Sequence, residues 1–557
     1  MEEKVIRLTN AVDSYRKLGQ ERAKEGDYIG ALGFLFTAKQ MSSDVEIIAD
    51  IADVYSDMGA LDLSVKYWFY YLDKAPNEKK SIAYEELAIN FFYMEDFWSS
   101  SYYFHQKITA DGFISQDGLD PEIIDFFSGE KKRLAKYKIA YPFDRADYSE
   151  QAKDAKCAMA LGSFKDAISL FEKIPTECLD EETSGEYAIS CFMADELDKS
   201  IKVSMESLEK DGESITAYCN LSTAYDMKGD KDKGEYYYRK ALALRTGDRA
   251  EAYKIATCAI EREEHDVIKE CLKQIVEERP FDLPMRFFYA IALVNTGSLE
   301  HAQKILSENY RIDRTDVVFK FYTELVSALI REEQWAKNLL PLKYVKELPD
   351  KIANKHQKTI NELADHPEKI PLKIKNRQVK DALEWGVRCK KSETVRKSAY
   401  VLSIAYTPYA IGLMLDALVD NSTLPELKRV LIYALIVGGY TDRFSVVAGN
   451  YFTKIKPKKL KIKEQSYILA YALCMSRLVF WDVEDLDRVY KNTIKVHKKL
   501  SKILTEADVT VDELAALILS ECKYKKFNTD NAAAKIFDVK KAKLLQLKKI
   551  MQGENDD

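Results

Sequence analysis

The chain has 557 residues, of which 46% are hydrophobic and 31% are charged, and its formal net charge is −6. This length is too great for one ordinary domain, and the apolar content is enough for large cores. With only 21 Gly and 13 Pro and no Gly/Pro-rich linker, the composition favours helices joined by short turns.

Cysteine usage and hydropathy predict a cytoplasmic protein without a membrane span. Nine cysteines are scattered along the chain without a CxxC motif, which fits a reducing compartment where most of them are small buried apolar residues. The N-terminal segment MEEKVIRLTNAVDSY has no apolar signal core. The most apolar window, residues 400–419, contains Pro408 and Asp416 and favours a buried helical hairpin.

The charge is divided unevenly along the chain. Residues 1–340 carry 44 Lys and Arg against 63 Asp and Glu, a net −19, whereas residues 341–557 carry 40 against 27, a net +13. This asymmetry predicts either different partners for the two halves or a contact between them. If charge drives a contact, fragments 1–350 and 371–557 associate at low salt and separate as ionic strength rises.

A regular spacing of turn residues runs through the first part of the chain. The intervals are 33, 36, 67, 33, 34, 34 and 34 residues, the 67 being two periods, between Gly26, Gly59, Glu95, Gly162, Asp195, Gly229, Glu263 and Gly297. We call these eight residues turn marks. Before a turn mark, a large residue precedes a small one, as in Leu221-Ser222. After a mark, a small residue is followed four positions later by a bulky one, as in Ser64 and Trp68. Because small residues allow close helix packing, the pattern predicts repeated helix pairs.

This pattern, over about residues 12–310, resembles the tetratricopeptide repeat. The family's first-helix tyrosine and late proline are matched by Tyr55, Tyr225, Pro76 and Pro280, whereas Arg22 departs from the tyrosine position. The resemblance implies an all-α fold, a right-handed superhelix (α-solenoid), whose concave groove binds protein segments.

The stretch KYWFYYLDKAP, residues 66–76, places five aromatic residues side by side. Trp68 and Tyr71 take the packing positions of a second helix, and Tyr67, Phe69 and Tyr70 lie on its other sides. These three rings either fill an aromatic-rich interior, which the pattern favours, or form an exposed patch that docks a partner.

The remaining segments lack the complete pattern. Residues 113–148 keep the length of a period without its small and large positions, and after Arg311 the period fades. The predicted organisation is repeats 1–3 in 1–112, a degenerate repeat or inserted helix pair in 113–148, four or five repeats in 149–312, bridging helices and linker in 313–370, a basic array of HEAT-like helical hairpins in 371–525, and a basic C-terminal helix or tail in 526–557.

Signatures of chemistry are missing from the sequence. It contains no GxxxxGK, GxGxxG, HExxH or GxSxG motif, and no two of its six histidines have the close spacing of a metal-binding helix. We therefore predict that the protein is not an enzyme and has no cofactor or metal.

The predicted concave groove offers candidate binding residues. Chaperone-binding members of the family clamp a C-terminal carboxylate with five residues on three repeats, and only Asn220 and Lys254 match here, which argues against binding of chaperone tails. Together with Thr223 and Thr257, these residues are candidates to hold an acidic or extended segment. An ordinary solvated groove is the alternative.

The C-terminal segment NAAAKIFDVKKAKLLQLKK, residues 531–549, resembles a helix-turn-helix. In this alignment Ala534 packs between the helices, Asp538 takes the left-handed turn, and Val539 and Leu544 seal the core. The candidates for phosphate contacts are Lys540, Lys541, Lys543 and Lys548. A solvated basic helix face is the favoured alternative.

These patterns predict a non-enzymatic scaffold or adaptor that binds protein or peptide segments in the groove of its repeats. The alternative is a peptide-sensing regulator whose basic C-terminal end binds nucleic acid.

Overall fold

The computed structural model describes residues 2–111, 123, 149–160, 162–175, 178–244, 249–389, 391–478, 486–505, 508–522 and 529–552. Contacts divide the chain into two compact units. Unit 1 comprises Met1–Lys132 together with Asp350–Asp557, and unit 2 comprises Arg133–Pro349. The predicted all-α class is confirmed, because the described residues are mostly helical and contain only one two-stranded sheet. The predicted degenerate repeat at 113–148 lies, apart from residue 123, outside the described residues.

Unit 1 begins with three helix pairs. They are α1 (Glu2–Lys24) with α2 (Tyr28–Met41), α3 (Val45–Asp57) with α4 (Leu61–Lys74), and α5 (Lys80–Tyr93) with α6 (Phe97–Asp111).

Unit 2 continues the same architecture. Its helices are α7 (Ser149–Ala160), α8 (Phe164–Phe171), α9 (Glu181–Met193), α10 (Leu197–Asp211), α11 (Ile215–Lys228), α12 (Lys231–Leu244), α13 (Arg249–Glu261), α14 (His265–Glu278), α15 (Leu283–Asn295), α16 (Leu299–Ile312), α17 (Val317–Ile330) and the short α18 (Gln334–Lys337). From α9 to α18, odd-numbered helices are the first and even-numbered helices the second members of pairs.

The turn between the two helices of a pair has the same backbone conformation throughout. All eight turn marks adopt a left-handed conformation, with φ between 54° at Glu263 and 89° at Gly229. The predicted tetratricopeptide-like period is thereby confirmed. It also extends further than predicted, because Glu332 has φ 58° between α17 and α18. The sequence pattern misses this repeat because α18 has only four residues and no room for the small and bulky positions.

The C-terminal part of unit 1 is a helical array with one β-hairpin. Its elements are α19 (Asp350–Asp365), α20 (Ile370–Lys373), α21 (Arg377–Gly386), α22 (Ser392–Ala405), α23 (Pro408–Val419), α24 (Pro425–Val437), β1 (Phe444–Ala448), β2 (Tyr451–Ile455), α25 (Gln465–Leu478), α26 (Leu486–Leu500), α27 (Val511–Ser520), α28 (Thr529–Ile536) and α29 (Lys541–Gln552). One hydrophobic core runs through it from Ile360 to Met551. The strands are antiparallel and turn at Gly449, which has φ 62°.

The β-hairpin contacts the second helices of the N-terminal pairs. The hydroxyl of Tyr103 donates to the carbonyl oxygen of Asn450 at 2.6 Å and accepts from the amide of Phe452 at 3.0 Å. Ser445 Oγ donates to Asp73 Oδ1 at 2.5 Å. These bonds fix the position of the hairpin on α4 and α6.

The acidic and basic halves of the sequence therefore contact each other within unit 1. The buried ion pair of this contact joins Lys66 and Asp420, with Nζ 2.9 Å from Oδ2. Its lysine belongs to the acidic half and its aspartate to the basic half, opposite to the overall charges. Buried pairs are screened little by salt, so this pair does not test the salt-sensitive association of fragments, which stays a prediction.

Candidate functional site

A cleft in unit 2 contains all four groove candidates. It has a volume of about 1010 Å³ and is lined by α9, α11, α12 and α13. Asn220 and Thr223 reach it from α11, and Lys254 and Thr257 reach it from α13, one repeat later. Residues three apart lie on the same helix face, so the repeat period places two such pairs side by side.

The helices that carry these residues have well-defined ends and close packing. Ser214 caps the start of α11 by accepting a hydrogen bond from the amide of Ala217, and Gly229 ends the helix with φ 89°. The small residue Ser222 is buried and donates to the carbonyl oxygen of Gly234 at 2.9 Å. This bond holds α11 against α12 and thereby fixes the floor of the cleft.

The side chains of Asn220 and Lys254 bind to a neighbouring repeat. Asn220 is buried, and its Nδ2 donates to the carbonyl oxygen of Gly185 on α9 at 3.1 Å. Lys254 Nζ donates to Thr216 Oγ1 on α11 at 2.5 Å. Both residues therefore connect successive first helices, and the Asn220 side-chain amide already holds α11 to α9.

The two threonines differ in their surroundings. Thr257 Oγ1 donates to the carbonyl oxygen of Tyr253 in its own helix at 3.0 Å. Thr223 Oγ1 lies 3.9 Å from Cys258 Sγ. Thr257 is thus exposed with its donor used locally, whereas Thr223 contacts the next repeat.

Sequence reasoning missed an arginine-centred network at one side of the cleft. Arg262 is paired with Asp226, donates to Ser222 Oγ at 2.8 Å, and lies with its guanidinium carbon 4.5 Å from the centre of the Tyr238 ring. Glu235 lies 3.4 Å from Arg262 Nε. The network joins two repeats, and its members are not marked by any single-repeat pattern.

Exposed apolar side chains also line the cleft. Met193, Met227 and Tyr253 each have about half of their surface exposed. Met193 and Met227 are 34 residues apart and occupy the same position of successive first helices. The two methionines could therefore have been found in the sequence by comparing equivalent positions of successive repeats. The cleft can hold apolar side chains, with charges of both signs at its edges.

Tyr67 and Phe69 on α4 are buried, so the alternative of an exposed docking patch is wrong for these two rings. Tyr67 packs 5.2 Å from the Tyr55 ring and 6.0 Å from the Phe36 ring. Phe69 stacks on Phe452 of the β-hairpin, with ring centres 6.5 Å apart. Tyr70 is half-buried beside Tyr67. The interior interpretation holds for Tyr67 and Phe69, because the rings are enclosed from two sides.

The helix-turn-helix-like segment has the predicted local geometry. Asp538 takes the left-handed turn with φ 52°, and Ala534 and Leu544 are buried. Of the four candidate lysines, Lys540 and Lys541 are exposed and Lys543 is half-buried, whereas Lys548 is paired with Asp530.

Carboxylates cluster on the first helices of the N-terminal pairs. Burial raises the pKa of Glu86 on α5 to about 7, and repulsion from Asp53, Glu85 and Asp57 adds to the effect. Among the described residues, no group of His, Cys, Asp and Glu side chains is placed to hold a metal ion. Within the same part of the chain, every helix is too short or too polar to cross a membrane.

The comparisons with known proteins give matches in structure only. No family model and no curated protein match the sequence. YrrB, a TPR protein with an unusual peptide-binding site, is 22% identical with a TM-score of 0.26, over 35% of this chain and 97% of YrrB. Yeast Tom70 is 13% identical with a TM-score of 0.28, over 77% of this chain and 88% of Tom70. The TPR2AB domain of yeast Sti1, solved with pHSP90, is 14% identical with a TM-score of 0.21, over 47% of this chain and 99% of that domain.

Proposed function

We propose that the protein is a non-enzymatic, cytoplasmic scaffold or adaptor that binds an extended segment of a partner protein in the unit 2 cleft. The observation that carries this proposal is the row of exposed apolar side chains, Met193, Met227 and Tyr253, in a cleft of about 1010 Å³. Exposed apolar side chains in a concave site favour a partner that covers them.

The spacing of the helices suggests the pattern of the bound segment. Packed helices lie about 8–10 Å apart. A chain in the extended polyproline II conformation rises about 3.1 Å per residue with about three residues per turn, so residues three apart point to the same side. Equivalent positions on successive first helices are therefore matched by side chains about three residues apart. A segment with apolar residues at positions i and i+3, flanked by charges, fits Met193 and Met227.

Binding can be tested with a display library of extended peptides presented to the full-length protein. We expect enriched peptides to share the i, i+3 apolar pattern and to bind at least about tenfold more weakly to Met227→Glu, since a charge desolvated against an apolar residue costs more than about 1.4 kcal/mol. Tyr236→Ala is a matched control, because Tyr236 is exposed but lies outside the cleft lining. Enrichment without a pattern, or equal binding by Met227→Glu, would contradict the proposal.

The contributions of Asn220 and Lys254 to binding can be tested by charge reversal. Asn220→Asp combined with Lys254→Glu is expected to weaken binding, but Asn220→Asp also places a carboxylate against the Gly185 carbonyl. The single variant Lys254→Glu tests the cleft with less disturbance of the fold, because the partner of Lys254 is the hydroxyl of Thr216, which can donate to a carboxylate as well as accept from an amine. An unchanged affinity for this variant would remove Lys254 from the site.

The second candidate function is nucleic-acid binding by the C-terminal end, favoured by the left-handed Asp538 between α28 and α29. Charge reversal at Lys540, Lys541 and Lys543 should abolish any DNA shift, and the salt slope of the parent should approach −0.9 per phosphate neutralised. Deleting residues 526–557 is a weaker test, since Leu544 is part of the core. No DNA shift by the parent at ~100 mM salt would refute this function.

A further inference from the structure

Two neighbouring elements of unit 1 expose lysines on their outer sides. The segment 456–464 joins β2 to α25 and lies beside α26. Lys458 Nζ lies 2.9 Å from Asp487 Oδ1, near the start of α26. Six residues later, Glu464 Oε2 lies 3.0 Å from His497 Nε2, near the end of α26. The segment therefore runs along most of the length of this helix.

In the segment, exposed lysines alternate with apolar residues that face inward. Leu460 and Ile462 are partly buried against the core of the C-terminal array. Lys459, Lys461 and Lys463 are exposed. Because successive side chains of an extended chain point to opposite sides, these three lysines form one row on the outer side of the segment.

The outer side of α26 carries a second row of lysines. Val489 and Val496 are buried in the core and define the inner side of the helix. Lys491 and Lys498 are exposed and, being seven residues apart, share one helix face. Lys502 is also exposed and continues this row into the turn that follows the helix. We call the six exposed lysines of the two rows the lysine surface.

Carboxylates do not balance the charge of the lysine surface. Within the described part of the chain, the ammonium groups of its six lysines form no hydrogen bond or ion pair. The carboxylates beside the surface are paired with other residues, namely Glu464 with His497, Asp487 with Lys458 and Glu521 with Lys495. The lysine surface therefore attracts anionic groups.

An apolar side chain stands at the end of the helix row. Ile503 follows Lys502 directly in the turn after α26 and is 57% exposed. Its backbone amide donates to the carbonyl oxygen of Leu500 at 2.8 Å, which closes the turn. A lipid bilayer offers both anionic headgroups and an apolar layer just beneath them, so it fits the lysines and the isoleucine together.

We propose that the lysine surface, with Ile503 at its end, docks unit 1 on a bilayer that contains anionic phospholipids. The lysines attract the headgroups, and Ile503 enters the boundary between headgroups and acyl chains. Protein interfaces are depleted in lysine and enriched in aromatic residues and arginine, and a nucleic-acid backbone has no apolar layer for Ile503. The docking uses neither the unit 2 cleft nor a bound protein segment, so it is independent of the proposed scaffold function.

The test is sedimentation of the full-length protein with vesicles of phosphatidylcholine alone or of phosphatidylcholine and phosphatidylserine in equal amounts. We expect binding only to the mixed vesicles, and we expect it to weaken as salt rises because exposed charges are screened. One lysine at an anionic surface contributes about fivefold, so Lys459→Ala, Lys461→Ala and Lys463→Ala together should weaken binding roughly 100-fold. Ile503→Ser should weaken binding at least about fivefold and keep the salt dependence, since it removes apolar burial alone.

The control is the triple variant Lys355→Ala, Lys358→Ala and Lys375→Ala, which makes the same change in net charge at exposed lysines of α19 and of the segment after α20. It should bind like the parent, and circular dichroism confirms that each variant keeps its helix content. No binding to the mixed vesicles at ~100 mM salt would overturn the proposal, and DNA binding through the same lysines in that case would assign the surface to nucleic acid. Equal binding by Ile503→Ser would also overturn it. Because no peptide is present, these results leave the scaffold proposal untouched.

Discussion

The buried ion pair between Lys66 and Asp420 tests how the two parts of unit 1 are held together. Their side chains are 7% and 3% exposed, and the charged atoms lie 2.9 Å apart. Lys66→Met removes the cation and leaves the carboxylate with the hydroxyl of Ser422 at 2.6 Å. Removing one partner of a buried pair costs about 3–5 kcal/mol, because the other charge stays buried without compensation.

The pKa of Asp420 gives a second measure of how strongly the ion pair stabilises the fold. Burial alone would raise it, but the charge of Lys66 and the hydrogen bond from Ser422 lower the pKa of Asp420 from 3.8 to about 2. This shift corresponds to about 2.4 kcal/mol at 1.36 kcal/mol per unit. Because the folded value is the lower one, the stabilisation is complete above about pH 4 and is lost as the pH falls through about 2. In Lys66→Met the effect of burial is opposed by Ser422 and Arg388 but no longer by Lys66. The stability lost in this variant is therefore largest at neutral pH and shrinks in acid.

Hydrogen exchange measured by mass spectrometry suits this test, since a chain of two units does not unfold in a single step. A loss of about 3 kcal/mol should speed exchange of protected amides in α4 and α23 by roughly 100-fold at pH 7. Lys17→Met is the control, because the Lys17–Glu21 pair is 78% and 53% exposed and is worth less than about 0.5 kcal/mol. Lys66→Met with Asp420→Leu should recover most of the protection. Unchanged exchange in Lys66→Met would refute the conclusion that the Lys66–Asp420 pair holds the two parts of unit 1 together.

Three further predictions concern the turns, the carboxylates and the β-hairpin. Glu263→Gly should stabilise unit 2 by about 1 kcal/mol, since its φ is 54°, whereas Glu261→Gly within α13 should destabilise it by about 0.5–1 kcal/mol; a lower melting temperature for Glu263→Gly contradicts this. Glu86→Gln should match the parent near pH 4 and become more stable as the pH rises through about 7, because ionisation of the buried acid destabilises the folded parent; parallel pH profiles of chemical unfolding would exclude it. Tyr103→Phe removes both hydrogen bonds to the β-hairpin and should cost about 1–3 kcal/mol of local protection there, whereas Tyr102→Phe keeps the ring contact and should not, as hydrogen exchange can show.

The repeat part of the fold could be predicted because its signals are local. Each turn mark is one residue with a left-handed backbone, and its flanking small and bulky residues lie within one helix pair. Glu263 was identified by spacing alone, although Glu disfavours the left-handed region. Glu332 escaped because α18 is too short to repeat the pattern. The β-hairpin also had a signal, the Gly449-Asn450 turn between β-branched and aromatic residues.

The candidate cleft could be predicted only in part. A period places Asn220 and Lys254 on neighbouring helices, and the structure brings them to one wall. The period does not show how far each side chain extends or in which direction. These two properties decide that Lys254 binds Thr216 and that Arg262 contacts both Cys258 and Asp226. These contacts join residues about one period apart, so their strength depends on helix spacing and rotamers that no single repeat records.

The aromatic residues of α4 show why a helix in a repeat array can carry rings on nearly every side. In a solenoid of pairs, a second helix packs on its own first helix and on the next pair, and one side ordinarily stays in water. Here that side is covered by the β-hairpin, so Phe69 stacks on Phe452 while Tyr67 packs inward against Tyr55. The covering segment lies more than 370 positions away in sequence, as the Ser445–Asp73 bond shows. Five adjacent aromatic residues therefore indicate a helix enclosed by elements from two distant parts of the chain. Tyr103, which bonds the turn residue Asn450 and Phe452 of β2, holds the covering hairpin in place.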